Sequence, residues 1–185
     1  MGWDEQRFAE LERRVFATLK GEYVIVDLPF FRFLYGPGDG IEQTCIKEFQ
    51  NLVMRIKAKG FSAECIYLSR LLIESLWDLD LLSEEVLKRE SLDRETFDLD
   101  LRNNLPQEIS KRLIDHLKDR DRKHCAVLLR IGSLFPFVRA SHILQKIDSV
   151  INCVLVIPYP GNKEGEMLWH KSKEGNTYYY RWQTV

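Results

Sequence analysis

From residue 4 to residue 20 the apolar positions Phe8, Leu11, Val15 and Leu19 recur at spacings of three and four, which predicts a helix with one apolar face, stopped by Gly21. Two strand-forming runs follow. Tyr23, Val24, Ile25 and Val26 make the first, and Phe30-Phe31-Arg32-Phe33-Leu34-Tyr35, after Asp27-Leu28-Pro29, makes the second and stronger candidate for an opening central strand. The Gly36-Pro37-Gly38-Asp39-Gly40 turn then releases the chain into a helix that carries Ile41, Cys45, Phe49, Leu52, Val53 and Ile56 inward and stops at Gly60. Strand, turn, helix and glycine in that order make a βα unit. The order repeats with a strand over residues 63–68 and a helix whose inner face holds Leu71, Leu72, Ser75, Leu76 and Leu79.

Between residues 83 and 105 the pattern changes to mixed-sign charge, including Glu84, Glu85, Lys88, Arg89, Glu90, Asp93, Arg94 and Glu95, and predicts an exposed helix and a loop inserted between sheet units. Pro106 is expected to open the next helix, with Ile109, Leu113, Ile114 and Leu117 inward and Lys111, Arg112, Asp115 and Lys118 in water. Residues 125–131 and 151–157 are nearly unbroken apolar runs too short for helices, the pattern of central strands covered on both faces. A helix over residues 136–147 connects them, so the pair should be parallel with a right-handed crossover. Residues 176–183 look like a closing edge strand. The expected fold is α/β: one three-layer α/β/α domain spanning residues 1–185, with a mainly parallel central sheet.

Composition narrows the function classes. The 27 Lys and Arg against 28 Asp and Glu leave a formal net charge of -1, so bulk electrostatics favours neither a nucleic-acid nor a membrane partner. Cys45, Cys65, Cys125 and Cys153 form no CxxC pair and read as buried free thiols in a reducing compartment. A polar amino end and the lack of any apolar run of membrane-spanning length lead to the expectation of a soluble cytoplasmic protein.

Candidate chemistry is sparse. The Gly36, Gly38 and Gly40 turn could offer backbone N–H groups to an anion, but a phosphate loop needs Gly-Lys-Ser or Gly-Lys-Thr, and Ile41-Glu42 follows instead. Gly132-Ser133-Leu134 lacks the G-x-S-x-G elbow, and Ser133 reads as a cap for the helix that follows. His116, His124, His142 and His170 make no H-x-x-x-H or H-E-x-x-H set, so no metal, cofactor or catalytic residue is assigned. The acidic pairs Asp78/Asp80 and Asp98/Asp100 read as solvated. Arg139 stands apart: a guanidinium just after a strand end can make planar bidentate contacts to a carboxylate or phosphate, although a surface ion pair is the plainer role. His142 lies in the same polar segment. Tyr159 and Trp169, in polar glycine-containing surroundings, are interface candidates because aromatic anchors concentrate at binding hot spots.

Taken in order, Arg7-Phe8, Pro29-Phe30, Gly132-Ser133-Leu134-Phe135-Pro136-Phe137-Val138-Arg139 with Ser141-His142, Tyr159-Pro160-Gly161 and Tyr178-Tyr179-Tyr180-Arg181 resemble the BrxB family of the bacteriophage exclusion systems called BREX. The resemblance carries nothing over residues 83–104. It implies a compact α/β/α domain resembling a nucleotide-binding core without the phosphate loop. It also implies a small cytoplasmic accessory protein without catalytic activity of its own, with PglZ, the alkaline-phosphatase-like component of these systems, as direct partner. The expected role is therefore a non-enzymatic scaffold that binds through a surface including Arg139, His142, Tyr159 and Trp169. Two other expectations stand beside it: a nucleotide- or phosphate-binding module or degenerate enzyme around Ser133, Arg139 and residues 159–161, and a DNA-binding subunit.

Overall fold

Asp4 opens the first helix, α1 (Glu5–Leu19), by accepting the Arg7 backbone N–H on its carboxylate at 3.0 Å, which satisfies one of the amide donors a helix start leaves free. Gly21, at φ 73, ends it in a left-handed turn as the Glu22 N–H reaches back to the Ala17 carbonyl. In the computed structural model, residues 3–22, 29–36, 38–148, 150–161 and 183–185 are described. The candidate strand at Tyr23, the Trp169 position and most of the run over 176–183 lie outside them.

The chain divides into two units. The first holds Met1–Ile66, Arg120–Ile131 and Asn152–Val185. It contains α1, β1 (Phe30–Tyr35), α2 (Ile41–Ala58), β2 (Ser62–Tyr67), β3 (His124–Leu129), β4 (Val154–Pro160) and β5 (Gln183–Thr184). The strands form one sheet in the order β2-β3-β4-β1-β5, and the β1/β4, β3/β4 and β1/β5 pairings are parallel. Phe30 therefore sits opposite Leu155 and Leu34 opposite Tyr159. All six residues of β3 are buried, as are Val154, Leu155, Val156, Ile157 and Pro158 of β4, so both faces of the central strands are covered. This is the α/β fold the apolar runs predict: a mainly parallel sheet with helices against it, in keeping with α/β/α layering.

An aromatic cluster fixes the helices of this unit. Phe8 from α1, Phe33 from β1 and Phe49 from α2 meet pairwise at ring distances of 5.1 to 5.8 Å, near edge to face, and Trp3 closes over all three. Such contacts add about 0.5–1.5 kcal/mol per pair beyond burial. Arg7 lies over the Phe33 ring at 5.5 Å and donates to the Leu34 and Val185 carbonyls, which ties α1 to β1 and to the segment beside β5.

The second unit holds Tyr67–Asp119 and Gly132–Ile151. It is helical, with α3 (Leu68–Asp78), α4 (Glu84–Leu92), α5 (Arg94–Leu117), a 3-10 turn at Ile131–Leu134 leading in, and α6 (Ala140–Ile147). Several expectations are corrected here. Pro106 does not open a helix; it is buried inside α5, which starts at Arg94 after an Asp93 cap. Residues Phe97, Leu101, Leu105, Ile109, Leu113 and Leu117 form one continuous buried stripe, and its packing outweighs the hydrogen bond that an interior proline forfeits. The loop expected in the charged stretch is thus the first half of this helix. Arg112, expected in water, is half-buried and joins Asp78 and Glu74 of α3 to Glu108 of its own helix. Finally, α6 begins at Ala140, not at Pro136, after a 3-10 turn and a cis Phe135–Pro136 peptide, and Arg139 rather than Ser133 stands at its N-cap position.

Truncation at Phe49 removes the ring shared by three aromatic neighbours in a site with no exposure. Phe49→Ala should lower unfolding stability by about 3–5 kcal/mol, read from the urea midpoint at unchanged m-value.

Candidate functional site

In parallel α/β sheets the carboxyl ends of the strands are where chemistry is usually placed. Those ends carry Tyr35 on β1, Arg130 after β3 and Tyr159 on β4. Arg130 takes the left-handed φ of 59, which only a few per cent of non-glycine residues adopt. The Tyr35 phenol is raised well above its ordinary value, chiefly by burial, with Cys45 and Glu42 adding and Arg130 working against them. Burial likewise pushes the Cys45 thiol up to about 12. Both groups stay protonated near neutrality, so neither serves as a base or nucleophile there. Tyr159 lies within β4, half-buried, with its ring 6.0 Å from the Arg32 guanidinium carbon. The register explains this contact: Arg32 pairs with Ile157, which leaves Tyr159 as its diagonal neighbour.

At the opposite, amino end of the sheet, the structure brings together three residues that the sequence reading kept apart. Ser62 Oγ lies 2.8 Å from His124 Nδ1, and His124 Nε2 lies 3.1 Å from Glu64 Oε1, with Arg120 3.8 Å from the same carboxylate oxygen. The signal was present but non-local, since Ser62 and Glu64 alternate along β2 onto the face that meets the start of β3. A hydroxyl, imidazole and carboxylate in sequence have the order of a charge-relay triad. The surroundings differ from one. His124 is 3% exposed, and the Ser62 N–H is spent on the Lys123 carbonyl and cannot serve an oxyanion. The arrangement fastens the outer strand β2 to β3. Among the described residues, no group of three or more His, Cys, Asp or Glu side chains could hold a metal ion.

The second unit presents a surface of another kind. Arg139 and His142 are exposed at the start of α6, joined by the His142 N–H donating to the Arg139 carbonyl at 3.0 Å. Lys146 follows, also exposed. Spacings of three and four put Arg139, His142 and Lys146 on one helical face, and α6 contains no acidic residue. Just ahead of it Phe135 and Phe137 are exposed by 41% and 39%, while Val138 between them and the helix is buried. The sequence analysis did not single out Lys146. The Arg139, His142 and Lys146 spacing was the available signal.

A family model for the BREX protein BrxB matches residues 64–184, well over half of the chain. The chain belongs to the BrxB family. The matched span takes in the α6 segment, Tyr159 and the carboxyl-terminal tyrosines, and it runs through the charged stretch to which the sequence resemblance assigned nothing. Arg7-Phe8 and Pro29-Phe30 precede it. No match to the chain was found among the curated proteins or among the solved structures. Family membership and the protonated, buried groups at the strand ends are consistent with a non-catalytic protein.

Two measurements check these assignments. His124→Ala should cost about 1–3 kcal/mol by orphaning its partners, whereas a fluorophosphonate probe should leave Ser62 unlabelled in the native protein. Burial raises Cys65 to about 11 and Cys45 and Cys153 to about 12, and it raises Cys125 further. Alkylation at about pH 8 should therefore be slow in the native state and become fast for all four thiols in denaturant.

Proposed function

We propose that this chain is a non-enzymatic, cytoplasmic accessory subunit of a BREX antiphage system, and that it acts by binding another BREX protein, PglZ, through the connector and first turn of α6. The observation that carries this reading is the grouping of Arg139 and His142, exposed and without an ion pair among the described residues, beside the outward rings of Phe135 and Phe137. Arginine and aromatic side chains supply most interface hot spots, and a cation that is unpaired in the free subunit gives up no internal contact on docking. Tyr159, on the first unit, is proposed as a separate contact on the grounds the sequence supplies. Trp169 keeps its place from the sequence alone.

Co-purification with PglZ tests the reading. Arg139→Ala and Phe137→Asp should each weaken the complex about tenfold or more, the usual loss at a hot spot, and abolish phage restriction, with far-UV circular dichroism and melting unchanged. Full complex formation and restriction by both variants, and by Tyr159→Ala, would refute it.

A further inference from the structure

One face of α3 is committed and the other is not. Leu68 and Ser75 are buried on its inner side. On the outer side, spacings of three and four set Arg70, Ile73, Glu74 and Trp77 in one row, two helical turns or roughly 10 Å long. Two of the four are large apolar side chains in water: Trp77 is exposed by 73% and Ile73 by 59%.

The row has an order. Arg70, whose side chain is 81% exposed, stands at the amino end, Ile73 near the centre and Trp77 at the carboxyl end. Arg70 Nε donates to Glu74 Oε1 at 2.7 Å, and Glu74 Oε2 lies 3.6 Å from Arg112 Nη1. The bond to Glu74 uses an edge of the Arg70 guanidinium and leaves its flat faces open to a ring, since a guanidinium can stack on an aromatic while it stays hydrogen-bonded in its plane. Along one helix the cation and the indole are two turns apart. Turned end for end, a second copy of the same row sets Arg70 on Trp77 and Trp77 on Arg70, with Ile73 close to its own counterpart. A parallel copy would set Arg70 on Arg70 instead.

We propose that α3 pairs with α3 of a second copy of this chain, antiparallel about a two-fold axis beside Ile73, through two reciprocal Arg70–Trp77 contacts. A two-fold interface must be complementary to itself, and a row with a cation at one end, a tryptophan at the other and an aliphatic side chain between them meets that condition. Glu74, at the side of the row, keeps its Arg70 and Arg112 partners, so the pairing brings together no bare carboxylates. The row carries both signs and gives a strongly acidic or basic partner no advantage over its own copy. A seam of one helix a side is at the small end of specific interfaces, which places half-dimerisation on the order of tens of micromolar. The pairing uses neither Arg139 nor Phe137, so it stands or falls apart from the PglZ reading.

Sedimentation velocity of the full chain across that concentration range is the test. The weight-average mass should rise with concentration towards twice that of the single chain. Trp77→Ala should abolish the rise and Arg70→Ala should weaken dimerisation about tenfold, with circular dichroism unchanged because both side chains are exposed. A short bis-maleimide reads the orientation. It should join an Arg70→Cys chain to a Trp77→Cys chain when the two are mixed, a pair that retains one Arg70–Trp77 contact, and should join neither variant to itself. Self-association that both alanine variants leave intact overturns the proposal, as does cross-linking of Arg70→Cys alone as readily as of the mixture. A chain that stays monomeric throughout also overturns it, and if Trp77→Ala then still abolishes phage restriction, the face belongs to a different protein.

Discussion

The first unit depends on one strand. β4 accepts a parallel neighbour on each side, β1 and β3, and its residues from Val154 to Ile157 have no solvent exposure. Parallel strands are stable only when both faces are covered, because their connections run over the faces and leave no side free to be polar. That requirement reaches the rest of the unit. Phe33, on the strand beside β4, needs a cover, and Phe8, Phe49 and Trp3 supply it, which fixes where α1 and α2 lie. Arg7 can then reach the Leu34 carbonyl and the last residue of the chain only because Phe8, the next residue, is pinned.

Within the helical unit the corresponding constraint is the buried stripe of α5. It keeps a helix running through Pro106, and it also decides the fate of the opposite stripe, since a helix with one face committed must leave the residues at 104, 107, 108 and 111 outside. Ser110 shows the adjustment at close range: buried, it donates to the Pro106 carbonyl at 2.6 Å and so satisfies its own hydroxyl locally. Arg112 does the same for charge, by gathering three carboxylates from α3 and α5.

Where hydrophobic periodicity was unbroken, the sequence was enough to place the element. The apolar runs around Val127 and Val156 and the helical faces of Phe8 and Phe49 are each found in the element their spacing implies. Proline and charge misled the reading in the middle of the chain, because a breaker in an isolated helix becomes tolerable once a long stripe is buried, and Phe97 and Leu101 were hidden among acids. The start of α6 was misplaced for a similar reason: Phe135, Pro136 and Phe137 look like helix or core until the backbone turns them outward. Of the candidate site residues, Arg139 and His142 are on the surface as a docking role requires, and Tyr159 is a strand residue stacked near Arg32. Contacts such as Ser62 to His124 join residues far apart in sequence, and no local pattern encodes them.

The distribution of charge in the helical unit says what kind of recognition it can support. Arg112 draws Glu74, Asp78 and Glu108 together and Lys118 pairs with Asp115, whereas Arg139 and Lys146 beside and on α6 are exposed and form no ion pair among the described residues. Exposed cations in water cost the subunit nothing, but they impose a sign on whatever covers them: a basic or neutral segment would leave them desolvated and unmatched, and an acidic one would not. Rim charges of this kind contribute more to the choice of partner and the rate of encounter than to affinity. Affinity must then come from apolar contacts, and the exposed Phe135 and Phe137 beside α6 are among those this unit has to offer.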